Sequence, residues 1–256
     1  RNEDEQQIRE IRSSLELEDG EVADQTFERA ENFEEGVALL REKIKAHLAE
    51  KKSVLIALSG KTGSGKTTLA NELRRGIGED QFDTTVVSTD NFYLPDSENL
   101  DLEKLHATIK KLQQGEHVGN LTPAEIILVE GLQTIEDETI GQKPDIRTYI
   151  SVPANKRFAA RLLRDEHVGF RSVKESLQKL TELTPETVAA IEKFEADPSL
   201  DNVDVVVNND REGADEPELY ISGDTLTFSV PGGVTESVKV ESDKVQFLEQ
   251  LGIQRK

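Results

Sequence analysis

The chain predicts an α/β fold in which a parallel β-sheet carries helices on both faces, and three observations predict it. Strand-like stretches at 54–58, 84–88, 126–129, 147–152 and 203–207 are short, and those at 54–58 and 126–129 are wholly apolar, as strands of a covered parallel sheet would be. Helix-like stretches at 66–76, 102–114, 154–164 and 172–196 fill the intervals, the alternation that crossover connections produce. Between the first strand and the first helix, Gly60-Lys61-Thr62-Gly63-Ser64-Gly65-Lys66-Thr67 fits the pattern G-x-x-x-x-G-K-[ST] without a mismatch.

That third observation makes the sheet one of the P-loop NTPase type. The glycines let successive backbone N–H groups turn inward around an anion, and the helix N-terminus adds partial positive charge. The loop Gly60, Lys61, Thr62, Gly63, Ser64, Gly65, Lys66, Thr67 and Thr68 is therefore expected to bind a nucleoside triphosphate. Lys66 would reach the β- and γ-phosphates, and the Thr67 hydroxyl would join a Mg²⁺ shell.

Either side of a core at 52–211, two further segments are expected. Residues 1–51 form an acidic, helix-prone leader, with Ile8, Ile11 and Leu15, then Val37, Leu40, Ile44 and Leu48, at helical spacing. The second of these helices is expected to pack beside the first strand. Residues 212–256 form a small β-hairpin and helix appendage: strands at 219–221 and 226–230, a Pro231-Gly232-Gly233 turn, a strand at 237–240 and a helix at 244–251. The appendage carries no recognisable chemistry, and extension of the core or an oligomer contact is its expected role.

Composition narrows the function classes. The 256 residues hold no cysteine, which excludes disulfides, thiolate metal sites and cysteine nucleophiles, and four scattered histidines disfavour a histidine-rich metal centre. A net charge of −20 disfavours nucleic acid and anionic membranes as partners, since both need a basic face. High external salt and a plain solvated surface both account for such acidity, and the sequence leaves the two open. No apolar run reaches membrane-spanning length and no signal-peptide pattern opens the chain, so a cytoplasmic protein is expected. Without a single methionine in the sequence, Arg1 is not expected to be a native start.

Ligands of open parallel sheets sit outside the carboxyl ends of the strands, so the residues there carry the chemistry. The strand at 84–88 runs into Thr89-Asp90-Asn91-Phe92-Tyr93. Asp90 is placed to accept a proton from an attacking hydroxyl and to lie near the metal, with Phe92 and Tyr93 walling the acceptor pocket. The strand at 126–129 closes on Glu130-Gly131, a carboxylate at the height to hold Mg²⁺ directly or through water. In this acidic chain the basic stretch 156–174 stands out, with Arg157, Arg161 and Arg164 on one helical face and Val168-Gly169-Phe170 as a flexible point beyond it. Such a segment suits a lid that brings guanidinium forks to phosphate oxygens.

Taken in order, Gly60–Thr68, Thr89-Asp90-Asn91-Phe92-Tyr93, Val129-Glu130-Gly131, Tyr149–Ala154 with Arg161-Leu162-Leu163-Arg164-Asp165, and Val203–Val207 resemble the uridine kinase and phosphoribulokinase family of P-loop kinases. The similarity spans roughly 52–210. It implies ATP- and Mg²⁺-dependent phosphorylation of a hydroxyl on a small molecule: a nucleoside, sugar phosphate or similar metabolite. Asp90 matches the family's catalytic base, Lys66 its phosphate contact, Thr67 and Glu130 its metal contacts, Arg161 and Arg164 its lid arginines, and Arg171 a further substrate-facing basic position. The chain departs from uridine kinases at 115–123, where their longer pyrimidine-recognising segment is missing or drastically shortened, and at the lid end, which reads Val168-Gly169-Phe170-Arg171. A regulatory NTPase is the competing reading, but the guanine-reading Asn-Lys-x-Asp element has no counterpart in Asn208-Asn209-Asp210-Arg211. A catalytically silent nucleotide-binding module is the third.

Overall fold

A computed structural model describes residues 27–79, 82–95, 97, 99–194, 200–210 and 216–256. The leader positions Ile8, Ile11 and Leu15 lie outside these residues.

The expected parallel sheet is present and gains a strand. In chain order it comprises β1 (Glu28–Ala30), β2 (Val54–Gly60), β3 (Thr84–Ser88), β4 (Ile126–Gly131), β5 (Ile146–Ser151) and β6 (Val205–Asn208), arranged β1-β6-β5-β2-β4-β3. Every pairing is parallel. β2 and β4 are buried at every position, which is why they read as unbroken apolar runs. Register sets β2 and β4 side by side, with Leu58 and Ser88 both opposite Glu130. The tips of β2, β3 and β4 therefore meet at one edge.

Residues 28–50, read from sequence as part of a leader, help build this sheet. β1 pairs with β6, and α1 (Phe33–Glu50) packs over the last strand and the loop helix α2 (Lys66–Glu79). Asn32 caps α1 through its side chain, accepting from the Glu35 N–H at 2.9 Å. Leu40 and Ile44 then join Ile56, Leu58, Leu69 and Leu73 in one core cluster. The opposite face is covered by α3 (Leu102–Gln113) and the one-turn α4 (Asp137–Ile140).

The expected long helix at 172–196 divides into α6 (Val173–Thr181) and α7 (Pro185–Phe194). Pro185 has no N–H for an intrahelical bond, so it begins a helix, and the Thr184 side chain accepts from the Thr187 N–H at 3.2 Å. With α5 (Ala154–His167), these helices pack on a three-stranded antiparallel sheet of β7 (Glu218–Ser222), β8 (Thr225–Ser229) and β9 (Thr235–Lys239), closed by α8 (Ser242–Gln250). Ala159, Leu162, Leu177, Ile221, Phe228 and Leu248 form the centre of this second core. The C-terminal segment is thus the floor on which the basic helix rests. No helix among the described residues is long and apolar enough to cross a membrane.

Candidate active site

The Gly60–Thr67 loop lies between β2 and α2, as its pattern requires. Two of its glycines are enforced by geometry. Gly63 has φ 81° and a Cβ there would fall 2.6 Å from the Arg157 carbonyl oxygen; Gly65 has φ 93° and a Cβ would fall 2.7 Å from Asn209 Nδ2. The loop is thus built against two residues distant in sequence. Arg157 is buried and donates to the Thr62 carbonyl at 3.3 Å and the Val152 carbonyl at 3.2 Å. Asn209, also buried, donates to the Ser64 carbonyl at 2.9 Å.

Sequence reasoning placed Arg157 on a lid face and assigned no part to Asn209. The signal for Asn209 was a polar residue directly beyond the apolar strand 203–207; its target, a loop carbonyl 145 residues away, is a tertiary fact.

Lys66 folds back over the loop, donating to the Gly60 carbonyl at 2.7 Å and the Lys61 carbonyl at 3.2 Å. Burial pushes its pKa below the ordinary lysine value. Glu130 and then Asp90 oppose that shift, while Arg157 and Arg164 add to it. Lys66, Glu130, Asp90 and Arg164 thus share one electrostatic neighbourhood, although they come from four separate elements. The Thr67 hydroxyl donates to Glu130 Oε1 at 3.5 Å, and Glu130 is buried. Gly131, next to it, has no room for a Cβ because the Thr89 side chain occupies that space.

The residues around Asp90 separate into two groups. Asp90 and Asn91 are exposed on a 3₁₀ turn over Thr89–Phe92, whereas Thr89 and Phe92 are buried. Phe92, expected in the pocket wall, packs into the core with Leu105, Ile109 and Val129, and Lys104 lies over its ring at 5.7 Å. Tyr93 stays at the surface, bridged to Leu100.

The arginines of the basic stretch, expected to act from a lid, diverge as well. Arg164 is exposed, pairs with Asp165 at 3.3 Å, and is felt by Lys66. Arg161 pairs with the same Asp165 at 3.8 Å, and Arg171 lies over the ring of exposed Phe170 at 5.1 Å. The expected flexible point is a hydrogen-bonded turn, with Gly169 N–H donating to the Glu166 carbonyl and Phe170 N–H to the Asp165 carbonyl, both at 2.9 Å. Residues 115–123 form a tight hairpin closed between Val118 and Leu121, on which His117 is exposed.

This donor set fits a triphosphate with Mg²⁺. Ser64 Oγ is buried in the loop with no hydrogen-bond partner, the Lys66 ammonium is desolvated, and two oxygen ligands stand beside each other at Thr67 and Glu130. Next to the loop, a groove of about 1140 Å³ is lined by Thr68, Glu72, Asn32, Phe33, Asn209 and Asp210, among others.

No family profile matches the chain. It is 29% identical over 151 residues to a uridine kinase of Brevibacillus brevis, covering 47% of this chain and 70% of that enzyme. Against a uridine kinase of Borrelia duttonii it is 25% identical over 199 residues, covering 65% of this chain and 91% of that enzyme. Among solved structures, a possible uridine kinase from Bacillus stearothermophilus aligns at 22% identity with a TM-score of 0.34, over 51% of this chain and 91% of that one. A putative fructose transport system kinase from Silicibacter aligns at 19% identity with a TM-score of 0.44, over 66% of this chain and 98% of that one. By these ordered motifs and by sequence, the chain is similar to uridine kinases, which it matches at 25–29% identity.

Proposed function

We propose that the chain is an ATP- and Mg²⁺-dependent kinase acting on a hydroxyl of a small molecule, with a nucleoside or sugar phosphate as acceptor class. The observation that carries this reading is the convergence of Lys66, Asp90, Glu130 and Thr67 at the adjoining tips of β2, β3 and β4. Bound Mg·ATP supplies the phosphoryl group and neutralises its developing charge.

The chain's own residues supply positioning and proton transfer. Backbone N–H groups of the loop hold phosphate oxygens, and Lys66, already within reach of the loop carbonyls, turns its ammonium to the β- and γ-phosphates. Thr67 and Glu130 would hold the metal, which fits a cation that keeps several waters and takes few protein ligands. Asp90 is exposed beside this centre, free of the core packing that claims Phe92, and accepts the proton from the acceptor hydroxyl. The groove at Thr68 and Asn208–Asp210 takes the donor's nucleoside, since it opens where the loop helix begins. Arg164 approaches the transferring group from the lid. Arg161, which shares Asp165 with Arg164, and Arg171, which lies over Phe170, would follow it through a rearrangement of the lid tip.

Replacing Asp90 by Asn tests this. ATP binding stays intact in calorimetry while turnover falls roughly 10²–10⁴-fold, the loss typical of a missing general base. Unchanged turnover removes Asp90 from the mechanism. ATP consumption across nucleosides, sugar phosphates, pantothenate and glycerate identifies the acceptor.

A further inference from the structure

A second cavity, of about 340 Å³, opens at the carboxyl ends of β1, β5 and β6. Its walls include Arg29, Lys61, Tyr149, Ser151, Arg157 and Asn208, and every charged residue lining it is a cation. In a chain of net charge −20, an all-cationic wall departs sharply from the rest of the surface. The large groove on the other side of Asn208 shows the contrast, since Glu31, Glu34, Glu72, Asp210 and Glu216 line it against Arg75 alone.

The cavity is not the triphosphate cradle. Of the loop, only Lys61 reaches it; Thr62 to Thr67, whose backbone surrounds the phosphates, are absent from its wall. It is nevertheless joined mechanically to the loop. Arg157 is 3% exposed, reaches the Thr62 carbonyl with its guanidinium, and presents its own carbonyl to Gly63. Lys61 offers its carbonyl to Lys66 at 3.2 Å. An anion that draws on Lys61 and Arg157 therefore acts on the same backbone that grips the nucleotide.

We propose that this cavity is an effector site for a small phosphate monoester. Guanidinium forks match tetrahedral phosphate oxygens, and the volume exceeds what orthophosphate alone would fill. Arg29 supplies the contact that distinguishes this site from the cradle, because it stands on β1, far from the loop in sequence and outside the catalytic set. Occupancy changes nucleotide affinity, and linkage requires nucleotide to change anion affinity by the same factor, about fivefold or more. The coupling rests on the nucleotide-binding reading above; the anion site does not.

The test is calorimetric titration of the full chain at constant ionic strength, with inorganic phosphate in one arm and a pentose monophosphate in the other. Each is run with and without a saturating non-hydrolysable ATP analogue and Mg²⁺. Binding is expected to persist when the cradle is filled, to weaken at least tenfold in R29Q, and to survive in R29K. Tighter binding of the pentose monophosphate than of inorganic phosphate supports the monoester; equal or weaker binding overturns it. Loss of all anion binding on adding nucleotide, or an R29Q variant that binds as the wild type does, overturns the proposal. Should nucleotide fail to bind, the kinase reading falls, while dependence of the anion titration on Arg29 is still read in the nucleotide-free arm.

Discussion

The sheet around the loop and the C-terminal β-module solve the same problem in opposite ways. β2 and β4 are covered on both faces and buried at every residue, so their hydrophobicity is continuous. β7 and β9 alternate between covered and uncovered positions, because helices cover only one face of that sheet. The consequence is functional. The first core fixes the loop, Thr67 and Glu130 from elements that serve the sheet anyway, whereas the second core exists to hold α5, the helix bearing Arg157, Arg161 and Arg164. What reads from sequence as an appendage is the support of the basic helix α5.

The comparison breaks most visibly at Phe228, which is 1% exposed at the centre of the second core. Phe228→Ala leaves a cavity and costs about 3–5 kcal/mol. If the two cores are separately stabilised, hydrogen exchange accelerates across 154–181 and 218–250 before it does in β2 and β4, and turnover falls more than nucleotide affinity. Uniform acceleration across both would show one cooperative core.

A smaller effect sharpens the link between the two regions. Asn209→Ala removes the donor to the Ser64 carbonyl and opens space beside Gly65, at a cost of about 1–3 kcal/mol. Because that bond shapes the loop, nucleotide affinity measured by calorimetry is expected to weaken by about the same free energy, a loss of roughly five- to 150-fold, since 1.4 kcal/mol is a factor of ten. An unchanged affinity would make Asn209 a fold residue only.

The smallest effect is a fraction of a proton. Burial lowers the Lys66 pKa, so between the folded value and the ordinary one the unfolded chain binds more protons and stability rises with pH. Triphosphate in the cradle favours the ammonium and reverses the shift. Nucleotide binding at alkaline pH is expected to take up protons, seen as a binding enthalpy that varies with buffer ionisation heat, and Lys66→Met is expected to abolish that variation.

Legibility in the sequence followed locality. The strands at 54–58 and 126–129 were readable because burial on both faces writes itself as short apolar runs, and the loop because its glycines and Lys66 act within eight residues. β1 was missed since three residues, Glu28–Ala30, two of them exposed, carry no hydrophobic pattern and gain their identity from pairing with β6. Phe92 and Tyr93 look alike in sequence, yet one enters the core beneath α3 and the other stays outside, a division set by the 3₁₀ turn.

The sequence by itself determined the parallel sheet, the anion-binding loop and the carboxylates at the strand tips, since each depends on residues close together in the chain. Only the tertiary structure decided which distant groups complete them: that Arg157 and Asn209 brace the loop, and that the C-terminal sheet carries the basic helix α5. The physical reason is that packing and hydrogen bonds between remote segments depend on which surfaces meet, and no local spacing records that.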